Sequence, residues 1–162
     1  NNLINLKKEL FNKVDFIFLL SLMIIDRNDN VDYFIYKFNL SKKDQKRLLF
    51  LNNFNSQMIT NKTFSEQNLN KIFYFHGRET VMDVIYFRIF KSKKVDNKLL
   101  KIVETFKEKK IPIMPIKAKT LIENYNIPES KELGNKLKMI EEVWSENNFQ
   151  ISEKEVEKII NN

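Results

Sequence analysis

Only two glycines, Gly77 and Gly134, and three prolines, Pro112, Pro115 and Pro128, punctuate a chain of 162 residues. So few residues able to take a positive φ or preset a turn leave no supply of tight turns for a multi-stranded sheet. They also leave no glycine-rich loop to wrap a phosphate. A mostly helical protein follows. Cysteine is absent, which removes disulfides, thiol nucleophiles and thiolate zinc sites together. At this length, one compact domain or two small subdomains are expected.

Apolar residues recur at helical spacing almost throughout. Val95, Leu99, Ile102, Val103 and Phe106 follow one stripe, Val81, Val84, Ile85 and Ile89 another, and Leu133, Leu137, Ile140, Val143 and Trp144 a third. Arg88 stands at the edge of the second stripe and is expected to snorkel to solvent. Ser41 with Asp44, and Ser152 with Glu155, mark helix starts. Breaks are expected at Asp26 to Asn30, Asn52 to Ser56, Phe75 to Gly77, Lys110 to Pro115 and Asn126 to Ser130. The spacing predicts eight or nine helices in an all-α, irregular multi-helix bundle with no sheet. The proline-bearing stretch from Ile111 to Ile116 reads as an extended connector. It divides a helical body, residues 1–110, from a smaller helical tail, residues 111–162.

The longest apolar run, Phe16 to Ile25, is about half the roughly 20 residues a membrane-spanning helix needs. It is expected to be a core helix of a soluble, cytoplasmic protein. The net charge is +7, but residues 1–60 carry +3, residues 61–120 carry +8 and residues 121–162 carry −4. A basic middle suits a polyanion partner, because phosphate affinity rests on clustered Lys and Arg. Solvated lysine faces on ordinary helices are the competing explanation in so Asn-, Lys- and Ile-rich a chain.

Candidate chemistry is sparse. Asp26, Asn28 and Asn30 imitate the start of a calcium loop, but Val31 stands where the glycine belongs and Lys37 where the bidentate glutamate belongs. Glu153, Glu155 and Glu157 are spaced two apart on a helix and cannot converge on one metal. His76 is the only histidine and, lacking a second ligand nearby, reads as a structural or RNA-edge residue. No nucleotide-binding or nucleophile motif and no Asp-x-Asp pair for two magnesium ions is found. No catalytic residue, cofactor or metal is therefore assigned, and the chain alone is expected to be inactive.

Two stretches go beyond composition. Ile113-Met114-Pro115-Ile116-Lys117-Ala118-Lys119-Thr120-Leu121-Ile122-Glu123, then Asn126-Ile127-Pro128-Glu129-Ser130-Lys131-Glu132-Leu133-Gly134, with Leu137, Ile140, Glu141 and Trp144 beyond, resembles the C-terminal region of bacterial CCA-adding tRNA nucleotidyltransferases and poly(A) polymerases. Upstream, Leu40-Ser41-Lys42-Lys43-Asp44-Gln45-Lys46-Arg47-Leu48 and Gly77-Arg78-Glu79-Thr80-Val81-Met82-Asp83 look like two further segments of the same family. Ala118, Asn126 and Glu129 stand where the family has glycine, and Thr120 where it has aspartate. The family's catalytic head and its nucleotide-selecting neck have no counterpart in this sequence.

The resemblance implies a helical body and tail that grip tRNA and position its 3′ end for a head that holds Mg2+ and CTP or ATP. The partners it implies are tRNA or another structured RNA and the head and neck segment of the same enzyme, without a membrane. Lys42, Lys43, Lys46 and Arg47 would present two cationic rows on one helix, and Lys91, Lys93 and Lys94 would end another. Lys117 and Lys119 flank a helix start, and Arg78 could take a phosphate or a carboxylate. Trp144 is expected in the tail core rather than as a stacking platform. The alternative function is a helical protein–protein interaction module, which an exposed apolar stripe around Phe16 to Ile25 would favour.

Overall fold

The computed structural model describes residues 2–26, 30–57 and 62–161. Among the described residues it contains nine α-helices and no strand, an all-α multi-helix bundle. The chain divides into two compact units, Asn1–Lys109 and Lys110–Asn162.

The first unit holds α1 (Asn2–Phe11), α2 (Phe16–Ile24), α3 (Asn30–Phe38), α4 (Lys42–Ser56), α5 (Glu66–Lys91) and α6 (Asn97–Glu108). Short polar side chains start most of them by accepting backbone N–H groups that a first helical turn leaves free. Asp15 accepts from Phe18 N at 2.9 Å, Ser41 from Asp44 N at 3.2 Å, Ser65 from Asn68 N at 3.3 Å, and Asp96 from Lys98 N at 2.9 Å. The break expected at Asn52 to Ser56 is not there, since α4 continues to Ser56. Phe50 and Phe54, one turn apart, stack at 6.1 Å and both pack on the core. Their burial outweighs the weak helix propensity of the intervening asparagines. Of the Asp26 to Asn30 break and its calcium-like pattern, residues 27–29, Asn28 among them, lie outside the described residues.

The centre of this unit is the second half of α5. Val81, Val84, Ile85 and Ile89 are buried as one stripe, and Asp83, Tyr86 and Phe87 are buried beside them. Arg88 reaches solvent. Phe73 meets Phe106 of α6 edge-on at 5.5 Å, and Phe18 of α2 meets Tyr86 at 6.1 Å. With Ala118 the only alanine in the chain, large rings fill the space between helices, each fully buried one contributing about 1.5–3 kcal/mol. No helix among the described residues is long and apolar enough to cross a membrane.

The second unit begins with a non-helical stretch over residues 110–117 and holds α7 (Ala118–Tyr125), α8 (Lys131–Glu146) and α9 (Glu153–Ile160). Its core joins Leu121, Ile127, Leu133, Ile140, Val156 and Ile159. Trp144 is buried and meets Phe149 edge-on at 4.9 Å, as a core residue. Asn126 ends α7 at φ 53° and ψ 32°, and Ile127 N donates to Leu121 O at 3.3 Å. Asparagine is the side chain that best tolerates this left-handed cap, so the position accepts it where the resembled family has glycine. Ser152 and Glu155 form a reciprocal capping box, with Ser152 N donating to Glu155 Oε2 at 2.8 Å.

Candidate nucleic-acid interface

Gly77 sits inside α5 at φ 82° and ψ 175°, a conformation essentially reserved for glycine. It divides α5 into two helical arms. The turn before it carries Phe75 and His76, and the turn after it carries Glu79 and Thr80, whose hydroxyl donates to His76 O at 2.9 Å. Facing this kink is the first half of α4. Between them lies a recess of about 210 Å³, with Lys43, Lys46, Arg47 and Phe50 on the α4 side and Phe75, His76, Glu79 and Thr80 on the α5 side.

Its walls are aromatic and its rim is cationic. The Phe50 and His76 rings lie 4.1 Å apart between centroids, while Phe75 is 50% exposed. Burial pushes the His76 imidazole below its ordinary pKa, which keeps it neutral at pH 7 and able both to donate and to accept. Lys43 Nζ stands 2.7 Å from Glu79 Oε2 in an exposed pair. Lys42 and Lys46 are exposed and carry no hydrogen bond or ion pair with any described residue.

Arg47 forms the floor. Its Nε and Nη2 donate to the two oxygens of Asp83, the latter at 2.8 Å, and its Nη1 and Nη2 donate to Asp15 at 2.5 and 3.1 Å. Desolvation works against the guanidinium charge, but the hydrogen bonds to Asp83 and Asp15 hold its pKa above the ordinary value. Burial pushes the Asp83 carboxyl up, with Arg47 pulling against that. At the more exposed Asp15, burial is outweighed by Arg47 and the Phe18 N–H, and the pKa falls. Every donor nitrogen of Arg47 therefore has an internal carboxylate partner, so it braces α2, α4 and α5, and its charge is balanced by Asp83 and Asp15 rather than offered to the recess.

The other cations expected at an interface are distributed. Arg78 donates to Phe106 O at 2.5 Å, to Lys109 O at 2.7 Å and also to Lys107 O. It thus satisfies carbonyls left open at the C-terminal end of α6, and not a carboxylate. Lys91 reaches Leu22 O at 3.3 Å, at the end of α2, and lies 5.3 Å from the Phe87 ring centroid. Lys93 and Lys94 are exposed just beyond α5. Lys91 stands eleven residues past Thr80 on α5, about 17 Å along a helix axis, so this group is separate from the recess. Lys117 and Lys119 belong to the second unit, where Lys119 Nζ is 3.6 Å from Glu123.

The structure thus brings Lys43, Lys46 and Arg47 together with His76. Phe50, Phe75, Glu79 and Thr80, which complete the recess, were not singled out by sequence reasoning. Their signal was there in Gly77, because a glycine inside a helical stretch marks a change of direction at which flanking side chains converge. Among the described residues no three of His, Cys, Asp and Glu come together to hold a metal ion. No family model, no curated protein and no solved structure matches the chain.

Proposed function

We propose that this chain is the RNA-gripping C-terminal region of a CCA-adding tRNA nucleotidyltransferase or poly(A) polymerase. It fixes tRNA or another structured RNA in the cytoplasm so that the 3′ end reaches a catalytic head, which supplies Mg2+ and nucleotide. By itself the chain adds nothing, and its contribution is catalysis by positioning. The observation that carries the reading is the unpaired Lys46 at an aromatic-lined recess, with the unpaired Lys42 one turn earlier on α4. Cations without internal partners are free for phosphates, and exposed rings are free for unstacked bases. The recess forms where the two upstream segments of the family resemblance meet, through Arg47 of one and Asp83 of the other.

The test is complementation. A head-and-neck fragment from an enzyme of this family, weakly active without its own body and tail, gains CCA or poly(A) addition when this chain is supplied in trans. A Lys42→Ala, Lys46→Ala chain gives less of that gain. No gain with the unaltered chain contradicts the proposal.

A second reading has an observation of its own. Phe16 and Met23 on α2 are 70% and 80% exposed, and Ile4 and Phe11 of α1 are about half exposed. Exposed large apolar side chains favour a protein-docking face, although Phe18, Leu20, Ile24 and Ile25 of the same run are buried. In the first reading the head and neck segment occupies it; in the second, an unrelated partner does and RNA has no part.

A further inference from the structure

We propose that the recess between α4 and the Gly77 kink is a seat for one unstacked, amino-bearing nucleobase. The proposal rests on the RNA-binding reading for its choice of ligand. Sites that engulf a drug-sized molecule span roughly 300–1,000 Å³, whereas this recess offers about 210 Å³, room for one planar ring whose sugar and phosphate stay outside. The half-exposed Phe75 and the His76 ring, held against Phe50 at 4.1 Å, supply the stacking faces that single-stranded RNA uses. Lys46 lies one helical turn before Phe50 on α4, with its ammonium free for the phosphate attached to that base.

Glu79 sets the preference. Its Oε2 is taken by Lys43 at 2.7 Å, which neutralises the carboxylate against phosphate repulsion. Its other oxygen retains acceptor capacity. A carboxylate accepts from the exocyclic amine of cytosine, adenine or guanine, whereas uracil offers it only the N3–H between two carbonyl oxygens that the carboxylate repels. Burial keeps His76 neutral, so it does not draw anions by charge, and the ring offers a stacking surface instead.

The experiment uses His76 as its reporter. As the sole histidine, its imidazole protons give one resolved pair of 1H NMR resonances. CMP and AMP shift these resonances through the ring current of a stacked base, and ribose 5-phosphate leaves them in place. UMP binds about fivefold more weakly than CMP, and Glu79→Gln narrows that gap. Phe75→Leu weakens both by about fivefold or more. Equal shifts from ribose 5-phosphate overturn the base seat in favour of a plain anion site. Silence from every mononucleotide at about 10 mM, where millimolar affinity is already saturated, overturns it as well. If tRNA still binds the silent protein, the seat is wrong and the RNA grip stands; shifts without tRNA binding mean the reverse.

Discussion

Arg47 of α4 and Asp83 of α5, thirty-six residues apart, form a buried ion pair in which two guanidinium nitrogens donate to the two carboxylate oxygens. Their side chains are only 10% and 6% exposed. The pair locks the helix with the free lysines to the central helix of the first unit. Asp15 joins from the start of α2, so three helices meet on one guanidinium.

Removing one partner strands a charge. Arg47→Ala leaves Asp83 buried without a counter-ion and costs about 3–5 kcal/mol. Asp15→Ser keeps a capping oxygen for α2 and loses only a half-exposed partner, at a cost of about 0–1 kcal/mol. Urea unfolding of both variants checks the ranking. The double variant Arg47→Met, Asp83→Leu, which removes both charges, is more stable than Arg47→Ala alone.

Gly77 is the backbone origin of the recess. A Cβ there meets nothing within 4 Å, so the penalty for Gly77→Ala comes from φ 82° alone. The expected loss is about 1–3 kcal/mol, read by thermal unfolding. If the helix straightens to relieve it, the RNA affinity that the proposed function requires falls as well, although no cation has been changed.

His76 makes a pH signature. Its folded pKa lies below the ordinary 6.5 because burial disfavours the charged imidazolium. Between the folded pKa and 6.5 the unfolded chain binds more protons, so stability rises with pH across that window. The contribution is complete above about 6.5 and is lost as pH falls through the folded pKa. A 1H NMR titration gives a midpoint below 6.5, and a His76→Phe variant loses that part of the pH dependence of unfolding.

Much of the architecture was legible in local signals. The stripes at Val81 to Ile89 and Leu133 to Trp144 became buried helix faces, and the caps at Ser41 and Ser152 formed with Asp44 and Glu155 as spaced. What escaped depends on residues distant in sequence. The helix through Asn52 to Ser56 is held by the packing of Phe50 and Phe54 on the core, which propensity cannot register. The occupation of Arg78 by carbonyls at and just beyond the end of α6, some 30 residues on, and of Arg47 by Asp15 and Asp83 arises only from tertiary contacts. A count of basic residues cannot separate such internal cations from free ones like Lys46. The recess was illegible for the same reason, since its two sides come from different helices.

The proposed function requires that the free cations of this scaffold recognise a folded RNA. The most direct measurement is fluorescence anisotropy of labelled tRNA lacking its CCA end, competed with unstructured RNA of equal length and with duplex DNA at two salt concentrations. Preference for tRNA is expected, with a salt dependence matching roughly four to six neutralised phosphates. In Lys42→Ala, Lys46→Ala the number falls by about two. Equal binding to all three competitors, erased by salt and unchanged in that variant, would contradict it.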